Sequence, residues 1–98
     1  MWEVRYLPEV EKWLDSLTTF QFKLVTKELL FLKRLGSMLG MPHSRALGGG
    51  LFELRERSFG FRVYYTFQKN KCVILVCAGD KKSQTRDIKK ARLRMEEL

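Results

Sequence analysis

Gly50 to Tyr65 reads GLFELRERSFGFRVYY, two apolar, strand-like runs around a short turn at Ser58-Phe59. With the turn centred there, Leu54 faces Val63 and Phe52 faces Tyr65, so apolar residues match on one side of a hairpin. On the other side Glu53 faces Tyr64, and Arg55 faces Arg62. A slip of one residue would set apolar positions against charged ones, which a half-buried sheet resists. The favoured register leaves two like charges opposed. Such a pair is unfavourable by some tenths of a kcal/mol up to about 1 kcal/mol. An anion held between the guanidinium groups would turn the repulsion into a clamp. The plain alternative is that both arginines turn to solvent or pair with Glu53 and Glu56.

Outward from the hairpin, the C-terminal half reads as three strands, at about 51–57, 61–67 and 72–78, and a last helix at about 84–97. That helix places Ile88, Ala91, Met95 and Leu98 along one side. Upstream, WEVRYL alternates weakly and reads as a first strand before Pro8, which suits a first helical turn. Val10, Trp13, Leu14 and Leu17 follow at helical spacing. Thr18 with Gln21 resembles a capping box opening a second helix that runs to about Leu35, with Phe22, Val25, Leu29 and Leu32 on one face. Gly36 closes it, and SMLGMPHSRALGGG is punctuated like a loop. The order β-α-α-β-β-β-α predicts an α+β domain over residues 1–98: an antiparallel C-terminal sheet, an N-terminal helical hairpin, a C-terminal helix, and helices on one face.

The composition bounds what such a domain does. The 98 residues leave room for one core, and 31% charged residues argue against a membrane protein. No apolar run approaches the roughly 18 residues of a spanning helix, and MWEVRY is no secretory leader, so the expected place is the cytoplasm. Cys72 and Cys77 lie roughly 16 Å apart along one strand, beyond disulfide reach, and read as buried free thiols. The net charge of +8 and pI near 9.8 point to a polyanionic partner, nucleic acid or an acidic protein. Residues 1–49 carry a net +2 and residues 50–98 a net +6, so the C-terminal half is where an anion should bind.

If the third and fourth strands pair through QKNK, Arg62 at the start of one lies beside the end of the other, next to Lys81 and Lys82. From Gly79 to Arg94 there are seven cations and two acids, Arg86, Lys89 and Lys90 among the former. A run of this kind alone is a solvated helix face. Converging with Arg55 and Arg62, it reads as a phosphate site.

These segments resemble a known family. PEVEKWLDSL, LKRLGSMLGMPHSRALGGGLFELR, GFRVYY and GDKKSQTRDIKKARLR, in order and with ordinary spacing, are similar to the phage-related HigB-like branch of the RelE toxin superfamily. The resemblance implies the toxin of a type II toxin–antitoxin pair. It implies an endoribonuclease that cuts mRNA, usually in the ribosomal decoding site, and an antitoxin that is commonly a helix-turn-helix DNA-binding protein. It places the working residues at Arg55 and Arg62 on the sheet and at Lys81 and Lys82 beyond it. The chain departs from the pattern at Asp80, where relatives commonly carry an aromatic residue, and at Arg86, where they carry proline. It also has no tyrosine or histidine after Tyr65.

The chemistry is consistent with these residue types. RNA carries its own nucleophile, the 2′-hydroxyl, so an enzyme must align it, take its proton and stabilise the phosphorane. Fixed cations are the largest lever, about 3 kcal/mol per well-placed donor. Arg55 and Arg62 suit that role because a guanidinium stays charged and its fork matches phosphate. No metal and no cofactor are called for. Arg57, Tyr64, Arg86, Lys89 and Lys90 are the RNA-binding candidates, with Tyr64 as a stacking platform or, equally, part of a satellite cluster. For the general base, Lys81 or Lys82 comes first and Glu53 second, whose plainer role is a charge partner for Arg55. His43, beside Ser44 and Arg45, reads as an ordinary loop residue. The rival readings are a silenced toxin, a gyrase-inhibiting ParE-like binder of the same superfamily and a plain nucleic-acid-binding module.

Overall fold

In the computed structural model, which describes residues 1–98, the chain opens with strand β1 (Glu3–Tyr6) and helix α1 (Pro8–Asp15). Pro8 sits in the first turn of α1, where an N–H would be unpaired in any case. Helix α2 (Thr19–Leu35) starts at the expected capping box. Gln21 N–H donates to the Thr18 hydroxyl at 3.2 Å, and Gln21 Oε1 accepts from Thr18 N–H at 2.9 Å. Gly36 ends it with φ of 51°, and a Cβ there would run into the Trp2 ring, so the position admits only glycine.

Four strands follow: β2 (Ser44–Gly48), β3 (Leu51–Glu56), β4 (Phe61–Gln68) and β5 (Cys72–Asp80). A 3₁₀ turn, Lys81–Ser83, then leads into helix α3 (Gln84–Glu96). They form one sheet in the order β1-β5-β4-β3-β2, with β1 parallel to β5 and the other pairs antiparallel. The hairpin has the register read from its pattern: Leu54 opposite Val63, Phe52 opposite Tyr65, Glu53 opposite Tyr64 and Arg55 opposite Arg62.

Two features differ from the sequence reading. Strand β2 lies inside the stretch read as loop. Its glycines are not loop filler but the tight return to β3: Gly48, Gly49 and Gly50 take φ of 93°, 63° and 86°, which side-chain-bearing residues rarely adopt. The helices, moreover, cover both faces of the sheet. On one face α1 and α2 bring Val10, Val25 and Leu32 against Leu54, Val63, Tyr65, Val73 and Leu75. On the other, α3 sets Ala91 over Leu51, Tyr64, Ile74, Val76 and Cys77. A strand covered on both sides reads as a continuous apolar run, and β5 is buried without a break from Cys72 to Cys77.

A bulge connects this packing to the site. Tyr65 pairs with Leu75 but Tyr64 pairs with Cys77, so Val76 is an extra residue and both Val76 and Cys77 join the α3 cluster. The register that follows puts Gly79 opposite Arg62. A Cβ on Gly79 would collide with the Asp87 carboxylate, so this glycine lets the first turns of α3 close onto the sheet beside Arg62.

Candidate nucleic-acid interface

Two rows of residues cross the sheet at the end where α3 begins. Arg45, Glu53, Tyr64 and Cys77 are successive partners in one row. His43, Arg55, Arg62 and Gly79 form the next, with Arg55 N–H donating to the His43 carbonyl at 2.8 Å. Alternation puts Glu53, Arg55, Arg62 and Tyr64 on the α3 side.

Their centre is Glu53, which has no exposed surface. Its Oε2 accepts a hydrogen bond from Gln84 Nε2 at 2.6 Å, tying the first turn of α3 to β3. Its Oε1 lies 3.4 Å from Arg45 Nη2, 3.8 Å from Arg62 Nη1 and 4.0 Å from Arg55 Nε. One carboxylate thus stands among three guanidinium groups and leaves an excess of two positive charges. Glu53 Oε1, Arg55 Nε, Arg62 Nε and the Tyr64 hydroxyl are buried without hydrogen-bond partners. Each such group costs about 1–3 kcal/mol, and four of them gather at one place. Two guanidinium groups with unpaired Nε donors and a surplus of positive charge match what a phosphate group asks for.

The opposed arginines therefore share Glu53. Glu56 is occupied otherwise, accepting from Ser58 N–H and Phe59 N–H at 2.8 Å each to shape the hairpin turn. Tyr64 is enclosed beneath α3, so the expected base-stacking platform is not available; its place in a cluster is what the structure bears out. Burial, and then the Glu53 and Asp87 carboxylates, push its hydroxyl far above the ordinary tyrosine range. It stays protonated and takes up no proton.

Lys81 and Lys82 occupy the exposed 3₁₀ turn beyond β5. Asp80 builds that turn: its Oδ1 accepts from Lys82 N–H at 2.8 Å and from Ser83 N–H at 3.2 Å. The departure at Asp80 is thus a capping residue. Ser83 Oγ in turn reaches Asp87 Oδ2 at 2.5 Å. The methylenes of Lys81 lie over Gly60 in the hairpin turn, and Lys82, Arg86 and Lys90 line a cleft of about 560 Å³ with Trp13 and Phe61. Lys89 is exposed on α3, and Arg57 lines a groove beside β3 that Arg55 also reaches. Arg92 and Arg94 brace the fold by donating to the carbonyls of Leu47, Gly48 and Val76. Cys72 and Cys77 are buried free thiols. Arg45, Gln84 and the His43–Glu28 pair are not evident from the sequence pattern. Arg45 stood in a stretch read as loop, and neither long-range bond leaves a trace in local spacing.

Comparison with known proteins adds the following. The family described as phage derived protein Gp49-like (DUF891) matches residues 12–96. An uncharacterized protein of Haemophilus influenzae is 46% identical over 55 residues; the match spans 55% of this chain and 56% of that relative. Among solved structures, a chain of the intact E. coli RelBE toxin-antitoxin complex superposes with a TM-score of 0.66 at 17% identity, over 82% of this chain and 96% of that one. The isolated E. coli RelE toxin gives 0.66 at 16% identity, over 92% and 98%. A chain of the archaeal RelE-RelB complex from Pyrococcus horikoshii OT3 gives 0.62 at 19%, over 82% and 94%. At these identities the likeness is one of fold, and the fold is RelE-like.

Proposed function

We propose a function from one premise: the chain belongs to the Gp49-like family of phage derived proteins. It is the toxin of a type II toxin–antitoxin system, of the HigB-like kind, and an endoribonuclease that cuts mRNA during translation in the cytoplasm. The observation that carries this reading is the arginine cluster, three guanidinium groups around one buried carboxylate with two Nε donors unpaired. A structural ion pair would satisfy its members. This one holds donors and charge in reserve on the sheet of a RelE-like fold.

In the reaction, Arg55 and Arg62 grip the scissile phosphate and take up the charge that develops on the phosphorane. Glu53 holds the two guanidinium groups at fixed positions despite their repulsion. Lys81 and Lys82 meet flanking phosphates from the turn beyond β5, with Arg86 and Lys90 farther along α3. The chemistry is that of the RNA's own 2′-hydroxyl and needs no metal or cofactor. The ribosome positions the RNA, and alignment alone supplies much of a barrier. An antitoxin is the protein partner. Phe20, Phe22 and Leu30 stand exposed along α2 and support such contact, since an apolar strip of this kind marks a protein interface.

A translation reaction with mapped RNA ends tests the reading. Cuts within translated codons are expected from the wild-type chain and not from Arg62→Ala. Intact RNA with folded wild-type protein would overturn catalysis and leave a silenced toxin or a gyrase-type binder.

A further inference from the structure

With Tyr64 enclosed beneath α3, aromatic surface for a nucleobase lies elsewhere, at the outer edge of β5. Strand β1 pairs with β5 only from Cys72 to Leu75, so no strand borders Ala78, Gly79 and Asp80 on that side. There the two faces of the sheet open into one cleft of about 560 Å³. From the face of α1 come Trp13 and Phe61, both half-buried, their rings perpendicular with centroids 5.3 Å apart. From α3 and the turn before it come Lys82, Arg86 and Lys90. Phe59, 43% exposed in the hairpin turn, stacks on Phe61 at 5.5 Å and 16°, so aromatic surface continues out of the cleft.

Core packing accounts for only part of this arrangement. Trp13 and Phe61 pack against the α1–α2 core and also line the cleft. The three cations are exposed, and the chain's six ion pairs involve none of them. The two acids of the cleft are in use. Asp80 accepts from Lys82 N–H and Ser83 N–H, and the buried Asp87 is bonded to the Ser83 hydroxyl. Aromatic rings beside free cations give a single strand of nucleic acid both things it needs, a π face for a base and positive charge for the phosphates around it. A volume of this size takes a nucleotide. The position fits as well. Gly79, in the wall of the cleft, is the cross-strand neighbour of Arg62, and Phe61 is its neighbour in the chain.

We propose that this cleft is a nucleobase subsite for single-stranded RNA; the inference deepens the ribonuclease reading above and rests on it for RNA as the ligand. An unpaired base beside the scissile phosphate stacks on the rings of Trp13 and Phe61. Lys82, Arg86 and Lys90 hold the phosphates that flank it. Stacking on a ring accepts every base, so the cleft sets where the strand lies rather than which codon is cut. Trp13 is in this sense a binding residue that steadies the strand while Arg55 and Arg62 meet the reacting phosphate.

The experiment titrates the full chain with a 2′-O-methyl oligonucleotide of about four nucleotides, which cannot be cut, and with an abasic strand of the same charge. Tryptophan fluorescence reads the cleft, because the other tryptophan, Trp2, packs on Phe67 near the opposite end of β5. The base-bearing strand should quench the signal and bind about tenfold tighter than the abasic one. Trp13→Phe should lose the quench and keep that preference, and Trp13→Ala should bind the two strands alike. Equal binding of both strands by wild type overturns the subsite and leaves a cleft that only attracts charge, a comparison that needs no variant to fold. A poly-glutamate peptide that quenches as deeply as the base-bearing strand also overturns it, in favour of an acidic protein. Cleavage in the translation reaction without a preference for the base-bearing strand sinks the subsite alone. The preference without cleavage supports the subsite and sinks the ribonuclease reading.

Discussion

Arg55 and Arg62 lie directly opposite each other on β3 and β4, and each directs a nitrogen at the same oxygen of Glu53, from 4.0 and 3.8 Å. Opposed like charges weaken a sheet, and the buried carboxylate offsets that cost. It does so without using either Nε as a hydrogen-bond donor. The arrangement keeps two forked cations side by side with donors free.

Glu53→Gln should therefore behave as the loss of a built-in anion. With the carboxylate gone, Arg45, Arg55 and Arg62 are left uncompensated around a buried site, which costs about 3 kcal/mol. Sulfate placed among the arginines replaces the missing charge. Thermal unfolding should show a lower Tm for the variant in low salt and a larger rise on adding sulfate than in wild type. Equal sulfate effects on the two proteins would mean that the arginines do not form an anion site.

The hairpin was legible in the sequence because its turn position and its alternation specify a single register. Leu54 opposite Val63 and Arg55 opposite Arg62 follow from those two facts. What α3 would cover was not legible. Tyr64 alternates like an exposed residue, and only the bulge at Val76 with the docking of Ala91 encloses it. Strand β2 leaves little trace in the sequence because it is a short, largely exposed edge strand without a clean apolar alternation, set between Pro42 and three glycines. Glu53 read as a charge partner from its position alone. That it serves three arginines at once depends on Arg45, whose strand carries no clear sequence pattern.

Stability should fall at alkaline pH through Cys77. Burial, and then the Asp87 carboxylate, push its thiol from 9.0 up to about 11. The folded chain thus holds this proton more tightly than the unfolded chain does. Its contribution is complete below about pH 9 and is lost as pH rises through about 11, on the order of 2 kcal/mol. The raised Tyr64 and Tyr65 hydroxyls act in the same direction at higher pH. Urea unfolding across this range should give a shallower decline for Cys77→Ala than for wild type. Parallel declines would remove the thiol from the account.

Gly79→Ala should separate the arginine cluster from the basic turn. The new Cβ meets the Asp87 carboxylate and, at 2.5 Å, Ser83 Oγ, two groups that are bonded to each other and have little room to yield. Overpacking of this kind costs about 1–3 kcal/mol. It should displace the start of α3, where Gln84 holds Glu53. Amide exchange should quicken at Ser83 to Asp87 while β3 and β4 stay protected. Unchanged exchange there would show that α3 closes on the sheet without help from this glycine.

Arg62→Lys tests what the guanidinium contributes beyond charge. The side chain is largely buried opposite Arg55, with Nη1 3.8 Å from Glu53 Oε1. Lysine keeps the positive charge next to Glu53, so folding and the affinity for RNA should change little. A single ammonium cannot present two parallel donors to a phosphate, nor follow the oxygens as phosphorus becomes pentacoordinate. The interaction lost is one made chiefly in the transition state, so cleavage should slow by about 10²-fold while KM stays near its wild-type value. Single-turnover rates on ribosome-bound mRNA, measured beside Arg62→Ala, give both quantities. A raised KM with an unchanged rate would make Arg62 a residue that only attracts RNA, and the opposed pair would then be a binding device rather than the centre of the reaction.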